Sequence, residues 1–330
     1  LSVELDSVSV ELGVAGVFSA EGEAWRRQRT LILPAFKLSR LRGMFDTLDG
    51  IAARLLIVID AAADDLGEEV PVSIDGRTLS NGNISVTIDD SGAIASLKQF
   101  DVDRDAVADR AAPLNRLVLY DDHPRFWEAW DIDAEYERRA EPIDDRAATI
   151  ESTSRGDLRG EIRVERSIGR ASRIVQRYVL DAGSKRVDIH TQIDWAERRR
   201  LLRALFPIDV RARFATYGTQ FGHIVRSTGR ATSHERAMYE VCAHGWMDVS
   251  EPGFGVALLD DGRYGHSCDG STMGLSLVRG PVFPDPDADL GTHEFTYSLV
   301  PHGGDWRVAD IDREAEALGD ARDGPPVGLR

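Results

Sequence analysis

Two tryptophans and two aspartates are concentrated in one short stretch of the sequence. Trp127, Trp130, Asp131 and Asp133 lie in the segment Arg125-Phe-Trp-Glu-Ala-Trp-Asp-Ile-Asp. Indole faces stack on the C–H surfaces of sugars, and carboxylates accept hydrogen bonds from sugar hydroxyls. The composition is therefore that of a sugar-facing loop. In the alternative interpretation, both indoles only anchor the loop, either on the rest of this chain or on a separate domain.

A histidine and an arginine form a second candidate pair. His223 and Arg226 lie in Phe-Gly-His-Ile-Val-Arg, directly after a predicted strand. An imidazole and a guanidinium at the end of a strand are placed to line the rim of an active site. The alternative is a structural histidine whose ring is satisfied by its neighbours.

Three alternating aspartates resemble the start of a calcium-binding loop. Asp285, Asp287 and Asp289 have the spacing of its first ligands. The sixth position of the loop is Leu290 instead of glycine, and the twelfth is Thr296 instead of glutamate. We therefore predict a surface turn and no calcium site.

One further run carries metal-binding residue types. Tyr264, His266 and Cys268 would share one face of a strand. One imidazole and one thiolate leave a tetrahedral zinc shell incomplete. We predict no metal site there, and we assign no catalytic residue from spacing alone.

The elements that must position these residues are predicted to be strands. In Val187–Trp195, Val187, Ile189, Ile193 and Trp195 alternate with polar residues, which is typical of a strand with one buried face. Similar runs occur at Ile84–Ile88, Asn115–Tyr120, Glu161–Glu165, Ile174–Leu180, Phe254–Leu259, Leu275–Val278 and Phe295–Val300. Many short strands separated by turn residues predict a mainly β protein with an antiparallel β-sandwich.

The first 65 residues have a different period. Apolar residues from Ser39 to Ile59 recur at helical spacing, and a shorter helix is predicted over Glu21–Leu33 before Pro34. We therefore predict two α-helices in residues 1–65, a charged linker at 66–71, and the β-sandwich at 72–318. Residues 319–330 are rich in Gly and Pro and are predicted to form a loose tail.

The composition and net charge limit the kinds of ligand that the protein is expected to bind. The chain has 330 residues, a hydrophobic fraction of 42% and a net charge of −16. Because binding to phosphates requires clustered Lys and Arg, nucleic acid and anionic membranes are excluded as expected partners, and a neutral hydroxylated ligand is favoured.

The two cysteines, Cys242 and Cys268, are expected to stay reduced, which favours a cytoplasmic location. Composition does not indicate an oligomeric state.

Residues from about 70 to 318 resemble the C-terminal β region of glycoside hydrolase family 38 α-mannosidases, of the cytosolic and bacterial type. The resemblance is carried by segments in the same order as in that family. They are Arg125–Asp133, Ser172–Gln176, Gln220–His223, Ala243–Leu259, Tyr264-Gly265, Pro284–Asp289 and His293–Leu299.

The resemblance implies a galactose mutarotase-like sandwich and, for the whole enzyme, hydrolysis of terminal α-mannosides with a divalent metal such as zinc or cobalt. Retaining glycosidases use two carboxylates about 5–5.5 Å apart. In this family the nucleophile and the metal ligands belong to an N-terminal α/β barrel, and the metal site uses a His-x-Asp pair that this sequence lacks. We therefore expect no catalytic residue, no metal ligand and no hydrolysis from this chain alone. The alternative function is a non-catalytic carbohydrate-binding or interaction module.

Residues 1–65 resemble the C-helix region of haem-thiolate cytochrome monooxygenases. The match is carried by Trp25-Arg-Arg-Gln-Arg29, whose first two residues lie near a haem propionate in that family. Neither Cys242 nor Cys268 lies in the Phe-x-x-Gly-x-Arg-x-Cys loop that supplies the axial thiolate. We therefore do not expect haem binding.

Overall fold

The computed structural model describes residues 70–109, 112–141, 143, 148–154 and 157–320. Within these ranges the chain forms three antiparallel sheets and few helices, which confirms the prediction of a mainly β antiparallel fold. The two helices predicted in residues 1–65 lie outside the described residues, as does most of the predicted tail.

The largest sheet has nine strands in the order β14-β13-β16-β17-β20-β11-β10-β9-β8. Their bounds are β8 Thr149–Ser154, β9 Arg159–Ile168, β10 Ser172–Asp181, β11 Val187–Trp195, β13 Phe214–Thr219, β14 Gly222–Ser227, β16 Trp246–Glu251, β17 Phe254–Asp260 and β20 Gly291–His302. Strand β20 lies between β11 and β17 and pairs with both, opposing Leu299 to Val187 on one side and to Leu258 on the other.

The second sheet has six strands in the order β15-β18-β19-β12-β6-β7. Their bounds are β6 Arg116–Asp121, β7 Ala140–Glu141, β12 Arg200–Pro207, β15 Val241–Cys242, β18 Gly265–Asp269 and β19 Thr272–Arg279. The third sheet has five strands in sequence order, with bounds β1 Ser73–Asp75, β2 Thr78–Ser80, β3 Ile84–Ile88, β4 Ile94–Gln99 and β5 Arg104–Asp105.

Two α-helices and one 3-10 helix are present in the described residues. Helix α1 spans Ser233–Ala237 and begins with a capping box between Thr232 and Glu235. Helix α2 spans Ile311–Asp320 and includes the first two residues of the predicted tail. The 3-10 helix covers Tyr136–Arg139.

The core lies between the sheets and follows from the alternation in the strands. In β11 the four apolar residues that were predicted to share a face are all at most 2% exposed, whereas Asp188, His190, Gln192 and Asp194 face outward. One large cluster of buried apolar side chains includes residues from all three sheets. Each buried Val, Ile or Leu contributes about 1.5–3 kcal/mol to folding.

A buried hydrogen-bond chain joins the three sheets. Asn115, just before β6, donates to the Tyr178 hydroxyl of β10 and accepts from the Tyr297 hydroxyl of β20, both at 2.6 Å. Tyr178 in turn donates to the carbonyl of Gly92 in the β3–β4 turn at 2.7 Å. Because unpartnered polar groups are costly in a core, this series of hydrogen bonds fixes the relative position of the sheets.

Candidate functional site

The predicted aromatic segment forms an exposed loop between β6 and the 3-10 helix. Its three aromatic side chains are largely in solvent, with Phe126 at 73%, Trp127 at 71% and Trp130 at 70% exposure. Phe283, after β19, is 62% exposed. The indoles therefore do not anchor this loop on the described part of the sandwich.

The backbone of the aromatic loop is instead held by polar side chains from elsewhere in the chain. The Arg279 guanidinium donates to the buried Asp122 carboxylate at 2.5 and 3.2 Å and also to the Asp131 carbonyl. The Tyr239 hydroxyl donates to the carbonyl of Ile132. These bonds fix both ends of the segment that carries the indoles.

A carboxylate connects the tip of the loop to the segment that contains Phe283. Glu128 accepts from Arg199 Nε at 3.0 Å and from the Val282 backbone N–H at 3.4 Å. Its side chain is only 16% exposed. The loop aromatics and the segment around Phe283 are therefore neighbours, although about 150 residues separate them in the sequence.

Trp127 adopts a backbone conformation that bulky residues avoid. Its φ is +55°, in the left-handed region, and its carbonyl accepts from the N–H groups of Trp130 and Asp131 at 2.7 and 2.8 Å. Such a conformation costs about 1–3 kcal/mol and is maintained only where the surroundings determine it. Side chains that are exposed on a strained, well-anchored backbone are typical of a preorganised binding surface.

The two aspartates of the segment differ in their surroundings. Asp131 is exposed, and among the described residues its carboxylate accepts only the adjacent Ile132 N–H, at 2.9 Å. Asp133 is half-buried, accepts from the Arg125 N–H at 3.4 Å and lies 4.0 Å from the Arg139 guanidinium. Asp131 is thus available to a ligand, whereas Asp133 helps to close the loop.

His223 and Arg226 are not brought together as a pair. Both lie on β14, but their odd spacing places them on opposite faces of the sheet. The Arg226 guanidinium lies over the ring of buried Tyr217, 4.7 Å from its centroid. His223 is exposed and packs against Trp306 with ring centroids 4.9 Å apart.

The described residues do not fit the divalent metal that the resemblance implies for the whole enzyme. Within the described ranges, no group of three or more His, Cys, Asp and Glu side chains is arranged to hold a metal ion. The Asp285–Asp289 segment is an exposed turn in which the Asp285 carboxylate accepts the Asp287 N–H at 3.0 Å. His266 and Cys268 are buried, whereas Tyr264 precedes the strand and is 55% exposed.

The two cysteines are free and are expected to differ in reactivity. Burial raises the pKa of the Cys268 thiol to about 12, whereas Cys242 is exposed with its sulfur 3.6 Å from His244 Nε2. Because the thiolate is the nucleophile, a maleimide should label one thiol in the native protein and both in urea. Mass spectrometry should place the native label on Cys242, and Cys242→Ser should leave the native protein unlabelled. Rapid native labelling of Cys268 would contradict this assignment.

Sequence reasoning missed the side chains that hold the aromatic loop. Arg279 and Asp122 are 157 positions apart, and Tyr239 and Ile132 are 107 apart. Pairs at such distances leave no local signal in one sequence. Arg279 ends a strand whose other residues are all uncharged, and this position is the one hint in the sequence that its guanidinium has a partner.

No helix within the described residues has the length and apolar character needed to cross a lipid bilayer.

Comparisons with known proteins agree with the fold. Residues 79–287 match the model of the glycosyl hydrolases family 38 C-terminal domain. Human alpha-mannosidase 2C1 is 43% identical over 241 residues, which are 73% of this chain and 23% of that protein. An alpha-mannosidase from Enterococcus faecalis V583 superposes with a TM-score of 0.63 at 14% identity, covering 77% of this chain and 32% of that one. The chain thus spans about a quarter of the length of this curated relative.

A short second match concerns another family. Cytochrome P450 6d1 of Musca domestica is 45% identical over 42 residues, which are 13% of this chain and 8% of that protein. The match over residues 79–287 covers well over half of the chain and confirms the resemblance inferred from the ordered segments. The chain belongs to glycosyl hydrolase family 38, of which it carries the C-terminal domain.

Proposed function

We propose that this chain supplies the C-terminal β region of a cytoplasmic, retaining α-mannosidase that hydrolyses terminal α-mannosides. The aromatic loop faces the sugar: Trp127 and Trp130 offer their indole faces, and Asp131 accepts from sugar hydroxyls. Asp133 supports the loop, whereas His223 packs against Trp306 and lies outside the loop. Arg226 has no role in sugar contact in this proposal, because it packs over Tyr217.

One observation carries the proposal. Within the region matched to family 38, the aromatic side chains of the loop are about 70% exposed on a backbone held by Arg279, Tyr239 and Glu128. Exposed apolar surface on a rigid support loses little conformational entropy when a ligand covers it. A galactose mutarotase-like sandwich, flanked by separate helices in residues 1–65, is part of the same proposal.

We propose that this chain does not break the glycosidic bond by itself. Retaining cleavage needs a carboxylate nucleophile and an acid/base, and the described residues do not fit the metal site. The purified 330-residue chain is expected to release no product from an aryl α-mannoside, with or without added Zn²⁺ or Co²⁺. Turnover that depends on added metal and saturates with substrate would refute this proposal.

Binding at the loop is testable without turnover. Methyl α-mannoside at millimolar concentration should shift the tryptophan fluorescence of the chain, and Trp130→Ala should remove the part of the shift that comes from the loop. Phe214→Ala is a matched control, because Phe214 is 55% exposed on β13, outside the loop. An unchanged titration in Trp130→Ala would mean that the loop does not bind the sugar.

A non-catalytic carbohydrate-binding module is the second candidate function. The acidic, exposed surroundings of the indoles favour it equally, since Asp131 and Trp130 need no nearby nucleophile to hold a sugar. The two functions differ when this region is joined to a catalytic α/β region. In the α-mannosidase, Trp130→Ala should then change kcat/KM, whereas in the binding module it should change only the affinity for sugar.

A further inference from the structure

A cleft of about 380 Å³ lies next to the β13–β14 hairpin, outside the aromatic loop. The hairpin forms one wall, the segment that enters β16 forms the floor, and helix α2 forms the opposite wall. This volume is in the range of small-molecule sites, about 300–1,000 Å³. None of the residues that line it belongs to the aromatic loop.

Two indoles that pack against each other line the cleft. Trp246 is 6% exposed, and its ring centroid lies 4.9 Å from that of Trp306. His223 packs on Trp306 at the same distance, from the hairpin side. The histidine that was a candidate for the rim of the active site thus belongs to this cleft.

A glycine allows the cleft to form. A Cβ on Gly218 of β13 would lie 2.5 Å from the His244 carbonyl oxygen and 2.6 Å from Trp246 Nε1. The His244 N–H instead donates to the Gly218 carbonyl at 3.0 Å. This close approach places the His244 backbone and the Trp246 indole beside the hairpin, where both residues line the cleft.

The walls carry both acceptors and donors of hydrogen bonds. Asp312 and Glu316 lie one helical turn apart on α2, and neither carboxylate forms an ion pair with a described residue. The Gln220 amide, which both donates and accepts, lies on the hairpin side of the cleft. At the tip of the hairpin, the fully exposed ring of Phe221 borders the opening.

We propose that this cleft binds a neutral hydroxylated ring, one sugar residue of a carbohydrate, at a position separate from the aromatic loop. A hydroxyl both donates and accepts, so it can use the carboxylates and the Gln220 amide together. An organic cation could use the carboxylates and the indole faces but would leave the N–H donors of the Gln220 amide without an acceptor, and an anion would be repelled by the carboxylates. The assignment to sugar rests on the proposed function in α-mannoside hydrolysis.

The experiment follows each tryptophan separately by the NMR signal of its indole N–H in the ¹⁵N-labelled chain. Single Trp→Phe variants assign the signals. Methyl α-mannoside is titrated to tens of millimolar. We expect the signals of Trp246 and Trp306 to shift with saturation, and the shift to persist in Trp130→Ala.

A double variant, Asp312→Asn with Glu316→Gln, should raise the Kd reported by the Trp246 and Trp306 signals at least fivefold. Removing two exposed carboxylates elsewhere, with Asp101→Asn and Glu294→Gln, should leave that Kd unchanged. Static Trp246 and Trp306 signals, or an equal Kd in the Asp312/Glu316 variant, would overturn the cleft proposal. Shifts of the Trp130 signal test the loop separately, so either proposal can fail while the other stands.

Discussion

Replacing Arg279 with alanine is expected to lower the free energy of unfolding by about 3–5 kcal/mol, because it leaves a buried carboxylate without its partner. Asp122 is 2% exposed and accepts two bonds from the Arg279 guanidinium. The same substitution removes the donor to the Asp131 carbonyl. Urea denaturation followed by circular dichroism measures the change.

The loss of Arg279 should also release the aromatic loop before the whole domain unfolds. Limited trypsin digestion reports this, since Arg125 lies within the loop and should be cleaved faster in Arg279→Ala than in the unmodified chain. Adding Asp122→Asn should recover part of the stability, because the unpaired buried charge is then removed.

The matched control for Arg279 is an exposed ion pair. Arg198 and Asp287 are 52% and 71% exposed, so Arg198→Ala should change the free energy of unfolding by about 0–1 kcal/mol. Equal urea midpoints for Arg279→Ala and Arg198→Ala would show that the Asp122 contact does not stabilise the fold.

Arg203→Ala should have an effect of similar size, about 3–5 kcal/mol, by a different route. Arg203 on β12 is 2% exposed, donates to Ser267 Oγ at 2.8 Å and to the Tyr136 hydroxyl, and lies 3.9 Å from Glu240 Oε2. Burial acts to lower the pKa of Arg203, but the Glu240 charge and the nearby tyrosines leave it above the ordinary value. The guanidinium therefore stays charged, and its removal leaves the Glu240 carboxylate without a cationic partner.

A charge-free replacement distinguishes lost pairing from lost packing at Arg203. Arg203→Met combined with Glu240→Gln keeps most of the side-chain volume and removes both charges, so it should be more stable than Arg203→Ala. Thermal unfolding monitored by circular dichroism gives the order of Tm values. If the double variant unfolds at or below the Tm of Arg203→Ala, the stranded charge is not the cause.

The strands were predictable from the sequence because a sheet with one buried face enforces a period of two. Val187–Trp195 shows this directly, since its alternating apolar residues are the buried ones. The same rule separates His223 from Arg226. Residues three apart on a strand point to opposite faces, so these two could not line one surface.

Buried charges and long-range contacts could not be predicted in the same way. Arg203 lies in a strand where arginine is expected to face solvent, and room for it comes from Gly274, where a Cβ would lie 2.8 Å from its guanidinium. The aromatic loop was recognised by composition, but its rigidity depends on Arg279 and Tyr239, which are distant in sequence. Composition indicates what a segment can bind, whereas partners from other strands determine whether it is held ready.

The central position of β20 has a consequence for biosynthesis. Strands β8 to β11 form a continuous meander, and β13, β14, β16 and β17 form the other part of the large sheet, but the two parts meet only through β20. While the ribosome is still making residues 291–302, the inner edges of β11 and β17 are complete but lack their shared neighbour. Open edges of this kind readily pair with other chains, so the nascent protein is exposed to wrong strand pairing until that late strand emerges.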